Sequence, residues 1–227
     1  MKEESKAVFF LKEILPPLVF VLTGLISYFL MKPFSEHFPH AVQNLSFLAV
    51  ALIPVAFLLL FRFRVAWPMK AVLYLFDFLG MYLANACNFY QMIPNFDKIL
   101  HWMSGPIVFF CAMYVVALLN KDGEWSDLGI AGFATVFQLA VGGVWEIIEY
   151  TVDVLLKNDA QIYVTTDVVD TMTDMIAMAS GSLLCAGILL LDSLLLNGKI
   201  ASFLFKNLHE YDSFNRRPYK ERKLSVR

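Results

Sequence analysis

The chain has 227 residues, of which 59% are hydrophobic and only 17% charged, with 21 phenylalanines and a formal net charge of −2. A soluble domain carries about a quarter charged residues, so this composition and a mean hydropathy of +0.62 exclude an ordinary water-soluble globule. The period-two alternation of a transmembrane β-barrel is absent, and the expected class is all-α: a polytopic transmembrane helical bundle.

In chain order, Met1 to Glu13 mixes Lys2, Lys6 and Lys12 with Glu3, Glu4 and Glu13, and an uncleaved first span follows from about 14 to 31. Pro16 and Pro17 are expected in its first turn, where a missing N–H costs little. The second span covers 45–61, with Pro54 expected to kink it at mid-depth. Arg62, Arg64 and Lys70 bracket a turn containing Trp67 and Pro68 before the third span, 71–88. Asp77, two turns into that span, is expected to pair with Arg62, Arg64 or Lys70, while Asn85, Asn88 and Gln91 fall near its far end.

After Pro94 and Asn95 comes the fourth span, 99–119, and after Asn120 to Gly123 the fifth, 128–149, with helix extending toward Leu156. Gln138, mid-span, is expected to hydrogen-bond a neighbouring helix. The sixth span, 171–191, is closed by Asn197-Gly198. Residues 1–198 thus form a single transmembrane domain. Residues 199–227, with Ile200, Phe203, Leu204, Leu208 and Tyr211 near helical spacing, read as a cytoplasmic amphipathic helix and basic tail. Cys87, Cys111 and Cys185 lie within apolar runs at no regular spacing, which argues against a disulfide framework and a thiolate metal site.

Six spans put both termini on one side, with Arg62, Arg64, Lys70, Lys199, Lys206, Arg216, Arg217, Lys220, Arg222, Lys223 and Arg227. The positive-inside rule assigns that side to the cytoplasm, so the expected location is the bacterial cytoplasmic membrane, multi-pass, with membrane lipids as partners and no nucleic acid.

Three acidic stretches then fall at one depth, counting ~1.5 Å of rise per residue. They are Asp97 with His101 at the start of the fourth span, Glu146 with Glu149 at the end of the fifth, and Asp167, Asp170 and Asp174 at the start of the sixth. Facing agrees with depth, because residues three or four apart share a helix face. Asp97, His101 and Gly105 form one stripe; Gly142, Glu146, Glu149 and Asp153 a second; Asp167, Asp170, Asp174, Ala177, Gly181 and Cys185 a third. Small residues below the carboxylates let the fourth, fifth and sixth helices approach closely.

Asp97 and Asp167 also suit helix starts, as first-turn charge and capping-box-like residue. Glu146 and Glu149 sit near a helix C-terminus, where the macrodipole disfavours anions. Carboxylates gathered in a low dielectric must share protons, pair with a cation or bind metal. Lys98 and Lys157 are the nearby bases, both long enough to snorkel to water. Several carboxylates and one imidazole suit a divalent ion such as Zn, Mn, Mg or Fe(II). The expected metal ligands are His101, Glu149, Asp170, Asp174, Asp97, Glu146 and Asp167, with Glu146 or Glu149 as general base.

The segments FDKILHWMSG (Phe96 to Gly105), WEIIEY (Trp145 to Tyr150) and DVVDTMTDMIAMASG (Asp167 to Gly181) resemble the YjdF-like family of bacterial inner-membrane proteins. More distantly, the Asp-Lys-x-x-His, Glu and Asp-x-x-x-Asp elements resemble VanZ-like membrane proteins, linked to glycopeptide resistance. The likeness spans roughly Asn95 to Gly187. It implies a membrane fold with Asp97, His101, Glu146, Glu149, Asp167, Asp170 and Asp174 as signature positions. The chain departs from the VanZ-like pattern in having Glu149 in place of Gln, Asp174 in place of Asn, and no Arg ahead of Asp170.

The function expected is that of a metal-dependent membrane enzyme acting near the outer leaflet on a lipid or cell-envelope headgroup, by hydrolysis or group transfer. The alternatives are a cation- or proton-coupled transporter or channel, and a non-catalytic envelope stress or resistance factor whose acidic site is structural.

Overall fold

A computed structural model describes residues 6–31, 52–86, 89–119, 125–156 and 168–204. Every regular element among them is helical. The chain divides into two compact units, Met1–Phe96 with Glu210–Arg227, and Asp97–His209. Among the described residues four helices are long and apolar enough to cross a membrane, over Lys6–Ile26, Phe96–Leu119, Asp127–Leu155 and Val168–Leu196.

In the first unit, α1 runs as Lys6–Phe9, a π-helical turn Phe10–Ile14 and Leu15–Met31. The helix therefore starts well before Ile14, and Pro16 and Pro17 lie in its interior instead of its first turn. The wider π turn precedes them, as is common where the hydrogen-bond ladder is interrupted. Pro16 has no N–H to offer the carbonyl four residues back, that of Lys12. That oxygen accepts instead from Lys70 Nζ at 2.7 Å, and the same ammonium reaches Glu13 Oε2 at 2.8 Å.

The helix α2 covers Ile53–Phe61, with Pro54 in the first turn of the described helix; residues 45–51, on which the expected mid-span kink depends, lie outside the described residues. Next, α3 runs over Trp67–Asp77 and continues as π-helix through Phe78–Ala86. It begins with Pro at the helix start, where no N–H is required. Asp77 is buried at the α-to-π transition, and among the described residues neither carboxylate oxygen has a hydrogen-bond partner. The expected pairing with Arg62, Arg64 or Lys70 is not made among the described residues, and the Lys70 ammonium is held by α1. Tyr74, on the same helix, stacks on Phe20 with ring centroids 4.7 Å apart. The short α4, Phe89–Met92, leads to Asn95, whose φ of 57° turns the chain into the next helix.

Three long helices build the second unit: α5 (Phe96–Leu119), α6 (Asp127–Leu156) and α7 (Val168–Leu196). Ser126 caps α6 by accepting from Gly129 N–H at 3.1 Å. The extension of the fifth span to Leu156 is present. Asn197 and Gly198, at φ 53° and 68°, end α7, and the carboxylate of Asp192 then accepts from the backbone N–H of Ile200 (3.0 Å) and Ala201 (2.8 Å). Those bonds cap α8, residues 199–204, which buries Ala201 in the core while Ile200 and Phe203 stay exposed. The rest of the expected amphipathic tail lies outside the described residues.

The core of this unit joins Phe109, Met113 and Val116 of α5 to Ile130, Ala131 and Ala134 of α6 and Ala186 and Leu189 of α7. Large apolar side chains point the other way on the same helices. Val144, Ile147, Leu155, Leu183 and Leu194 are all more than half exposed, as a hydrocarbon surrounding allows.

Two glycines set how closely α5 and α7 approach. A Cβ on Gly105 would run into the Met178 carbonyl and lie 2.8 Å from Ser182 N. One on Gly181 would run into the Trp102 carbonyl and lie 2.8 Å from Pro106 Cδ. Pro106 supplies no N–H to Trp102, so that carbonyl is left to face Gly181. The backbones touch here because neither glycine has a side chain.

Candidate functional site

Just above this crossing the acidic stretches meet. One turn above Gly105 on α5 lies His101, and one turn above Met178 on α7 lies Asp174; both side chains are buried. His101 Nε2 is 3.3 Å from Asp97 Oδ1 and 3.8 Å from Asp174 Oδ2, and its Nδ1 is 3.9 Å from Glu146 Oε1 on α6. The imidazole thus lies between two acidic arms, Asp97 with Asp174 on one side and the α6 glutamates on the other. Glu146 is buried and Glu149 partly so.

Lys98 is the feature that sequence reasoning misjudged. Its ammonium does not leave for water: Nζ donates to Asp170 Oδ1 at 2.6 Å, Asp174 Oδ1 at 2.7 Å and Asp97 Oδ2 at 3.3 Å. It also reaches the Asp170 carbonyl at 3.4 Å. The side chain is 29% exposed, so the ammonium bridges the three aspartates while keeping part of its surface open. The i to i+3 spacing of Lys98 and His101 on one helix face was the available signal. What outweighs snorkelling is charge: Asp170 and Asp174 are buried, and each needs a cation or donor.

Two sets of side chains bring three ligand atoms within 4.8 Å of one another: Asp97, His101 and Asp174; and His101, Glu146 and Glu149. These residues fit a divalent ion in donor type, one imidazole nitrogen with carboxylate oxygens. They also fit in charge, since five described carboxylates surround one lysine and one histidine. Of the seven expected ligands, five fall into these sets. Asp170 lies beside them and meets Lys98. Asp167 lies outside the described residues, as do Lys157 and Asn88. Asp153, one turn beyond Glu149, belongs to neither set.

Below the cluster the buried face of α7 differs from the expected stripe. Met178, Ser182 and Ala186 are buried, whereas Ala177 and Cys185 are only partly so. Asp170 and Asp174 are four apart, and steps of four continue the buried line through Met178, Ser182 and Ala186. Cys185 and Cys111 form no disulfide among the described residues. Gln138 is fully buried on α6, but the expected interhelical hydrogen bond is not made to any described residue.

A family model described as Predicted membrane protein (DUF2238) matches residues 17–193, which include every residue of the cluster. No curated protein and no solved structure matches the chain.

Proposed function

We propose, for a chain that belongs to the DUF2238 family of predicted membrane proteins, that the His101 cluster is a divalent-cation site of a metal-dependent membrane enzyme. The observation that carries this reading is the position of His101, which completes a three-ligand set with carboxylates on either side of its ring. In this reading the site lies at the extracytoplasmic ends of α5, α6 and α7 in a bacterial cytoplasmic membrane. Six spans leave both termini in the cytoplasm, and residues 199–227 form the basic tail. The substrate is a lipid or cell-envelope headgroup that reaches the cluster from the outer leaflet.

A divalent ion, when bound, polarises a phosphoryl or ester oxygen and activates water. The chain's own groups do the rest. Asp97, 3.3 Å from Nε2, orients the imidazole, a carboxylate–histidine arrangement common around metal ligands, and Asp174 adds negative charge 3.8 Å from the same nitrogen. Glu146 or Glu149 takes the proton from the attacking water or hydroxyl as general base. Lys98 balances Asp170 and Asp174, so that the site can hold several carboxylates together. The chemistry favoured is hydrolysis or group transfer.

A site worked from one end is supported over a transport path by what lies deeper. Past Gln138 and Ser182, α6 and α7 meet through Ala131, Ala134, Ala186 and Leu189, while Thr135 turns its hydroxyl onto the Ala131 carbonyl, so a packed apolar stretch separates the cluster from the Asp127–Ser193 hydrogen bond farther along. Metal analysis of the purified protein tests the reading. The wild-type protein is expected to retain one or more equivalents of a divalent metal through desalting, and His101→Ala and Asp174→Asn are expected to lose it. Equal metal content in all three proteins, or none in the wild type, refutes the site.

A further inference from the structure

Beneath the cluster, α6 and α7 carry two polar side chains that the proposed chemistry does not use. Gln138 and Ser182 are both 0% exposed, and among the described residues neither the amide nor the hydroxyl has a hydrogen-bond partner. The antiparallel register sets them level with each other. Gly142 meets Met178. Fifteen residues back along α6 and fifteen forward along α7, Asp127 accepts from the Ser193 hydroxyl at 2.5 Å. Four residues back from Gly142 is Gln138, and four forward from Met178 is Ser182, so they occupy the same level of the seam.

Met178 stands between these groups and the carboxylates above. A Cβ on Gly142 would lie 3.0 Å from Met178 Sδ, 3.1 Å from its Cε and 3.4 Å from Gln138 Nε2. The thioether and the amide therefore converge on the space that the missing Cβ leaves. We propose that Gln138 and Ser182 form the floor of a hydration site that Met178 plugs. When the thioether swings aside, water enters from the cluster and bridges the amide to the hydroxyl.

Water is the ligand that this chemistry selects. The floor is uncharged and offers both donors and acceptors, as an amide and a hydroxyl do, and a water can use both kinds of group at once where a bare cation could use only the oxygens. Buried polar groups without protein partners are commonly met by an ordered water making two to four hydrogen bonds. Methionine suits a movable plug, being unbranched with three rotatable bonds. The apolar seam of Ala131, Ala134, Ala186 and Leu189 closes the site from below, so water comes and goes past Asp174 and Glu146. The inference does not depend on a metal in the cluster.

Hydroxyl-radical footprinting of the full-length protein in nanodiscs tests it, because radicals form from water next to the side chain they oxidise. Met113 is the internal reference, since it is equally buried in the same unit but packed in the apolar core. Met178 is expected to oxidise several-fold faster than Met113 in the wild-type protein. Gln138→Leu combined with Ser182→Ala is expected to lower Met178 to the Met113 rate with the thermal midpoint retained. Wild-type Met178 oxidising no faster than Met113 overturns the proposal without recourse to any variant. So does a Met178 rate that the double substitution leaves unchanged.

Discussion

Gly105→Ala tests whether the α5–α7 contact sets the geometry of the cluster. The added methyl would overlap the Met178 carbonyl and sit 2.8 Å from Ser182 N, against an optimal separation of about 3.5–4.0 Å for such atoms. The obstacle is backbone, which cannot rotate out of the way as a side chain tip can. The helices must part by about 1 Å, a gap that forfeits a quarter to a half of each dispersion contact along the crossing. Overpacking of this kind costs about 1–3 kcal/mol, and backbone contact argues for the upper half of that range. For a chain of this size about 2–3 kcal/mol lowers the thermal midpoint by roughly 5–10 °C.

The same parting draws His101, one turn above Gly105, away from Asp174, one turn above Met178, so any metal retention falls with stability. Gly132→Ala and Gly187→Ala are the controls: nothing lies within 4 Å of a Cβ at either position. There the better helix propensity of alanine, worth up to about 1 kcal/mol, leaves stability equal or higher. Thermal melts of all three variants in one detergent decide the matter. A Gly105→Ala midpoint within about 2 °C of the controls refutes the close crossing and the account of the cluster built on it.

Two further substitutions separate paired from unpaired buried charge. Lys98→Met strips the ammonium from Asp97, Asp170 and Asp174. The expected loss is about 2–3 kcal/mol, below the range for a fully buried pair because Lys98 is partly exposed. Added divalent cation should restore part of it, and an unchanged melting midpoint would show that the ion pairs contribute nothing. Asp77→Leu has the opposite sign, because among the described residues nothing hydrogen-bonds its buried carboxylate and no such bond is lost. Stability is expected to hold or to rise by up to about 1–3 kcal/mol, and a drop of several degrees in the melt would mean that Asp77 has a partner.

The apolar runs and their interruptions were sufficient to determine an all-helical membrane chain, because about 20 apolar residues in sequence have one stable form in hydrocarbon. Residue counting was also sufficient to bring His101, Glu146 and Asp174 to one level, since rise per residue is a property of the helix alone. Four features needed the tertiary structure. Pro16 leaves the Lys12 carbonyl open, but only packing decides that Lys70 fills it and that Asp77 has no hydrogen-bond partner among the described residues. Lys98 could reach water or the carboxylates, and the buried Asp170 and Asp174 decide for the latter. The inward line of α7 runs through Met178 and Ser182 instead of Ala177 and Cys185, because Gly105 and Gly181 fix how the helix is rotated at its crossing. Gln138 and Ser182 come to one level of the α6–α7 seam, and among the described residues neither has a hydrogen-bond partner, which no spacing along a single helix foretells. Spacing along one helix tells which residues share a face; which face meets which neighbour depends on contacts between segments far apart in sequence.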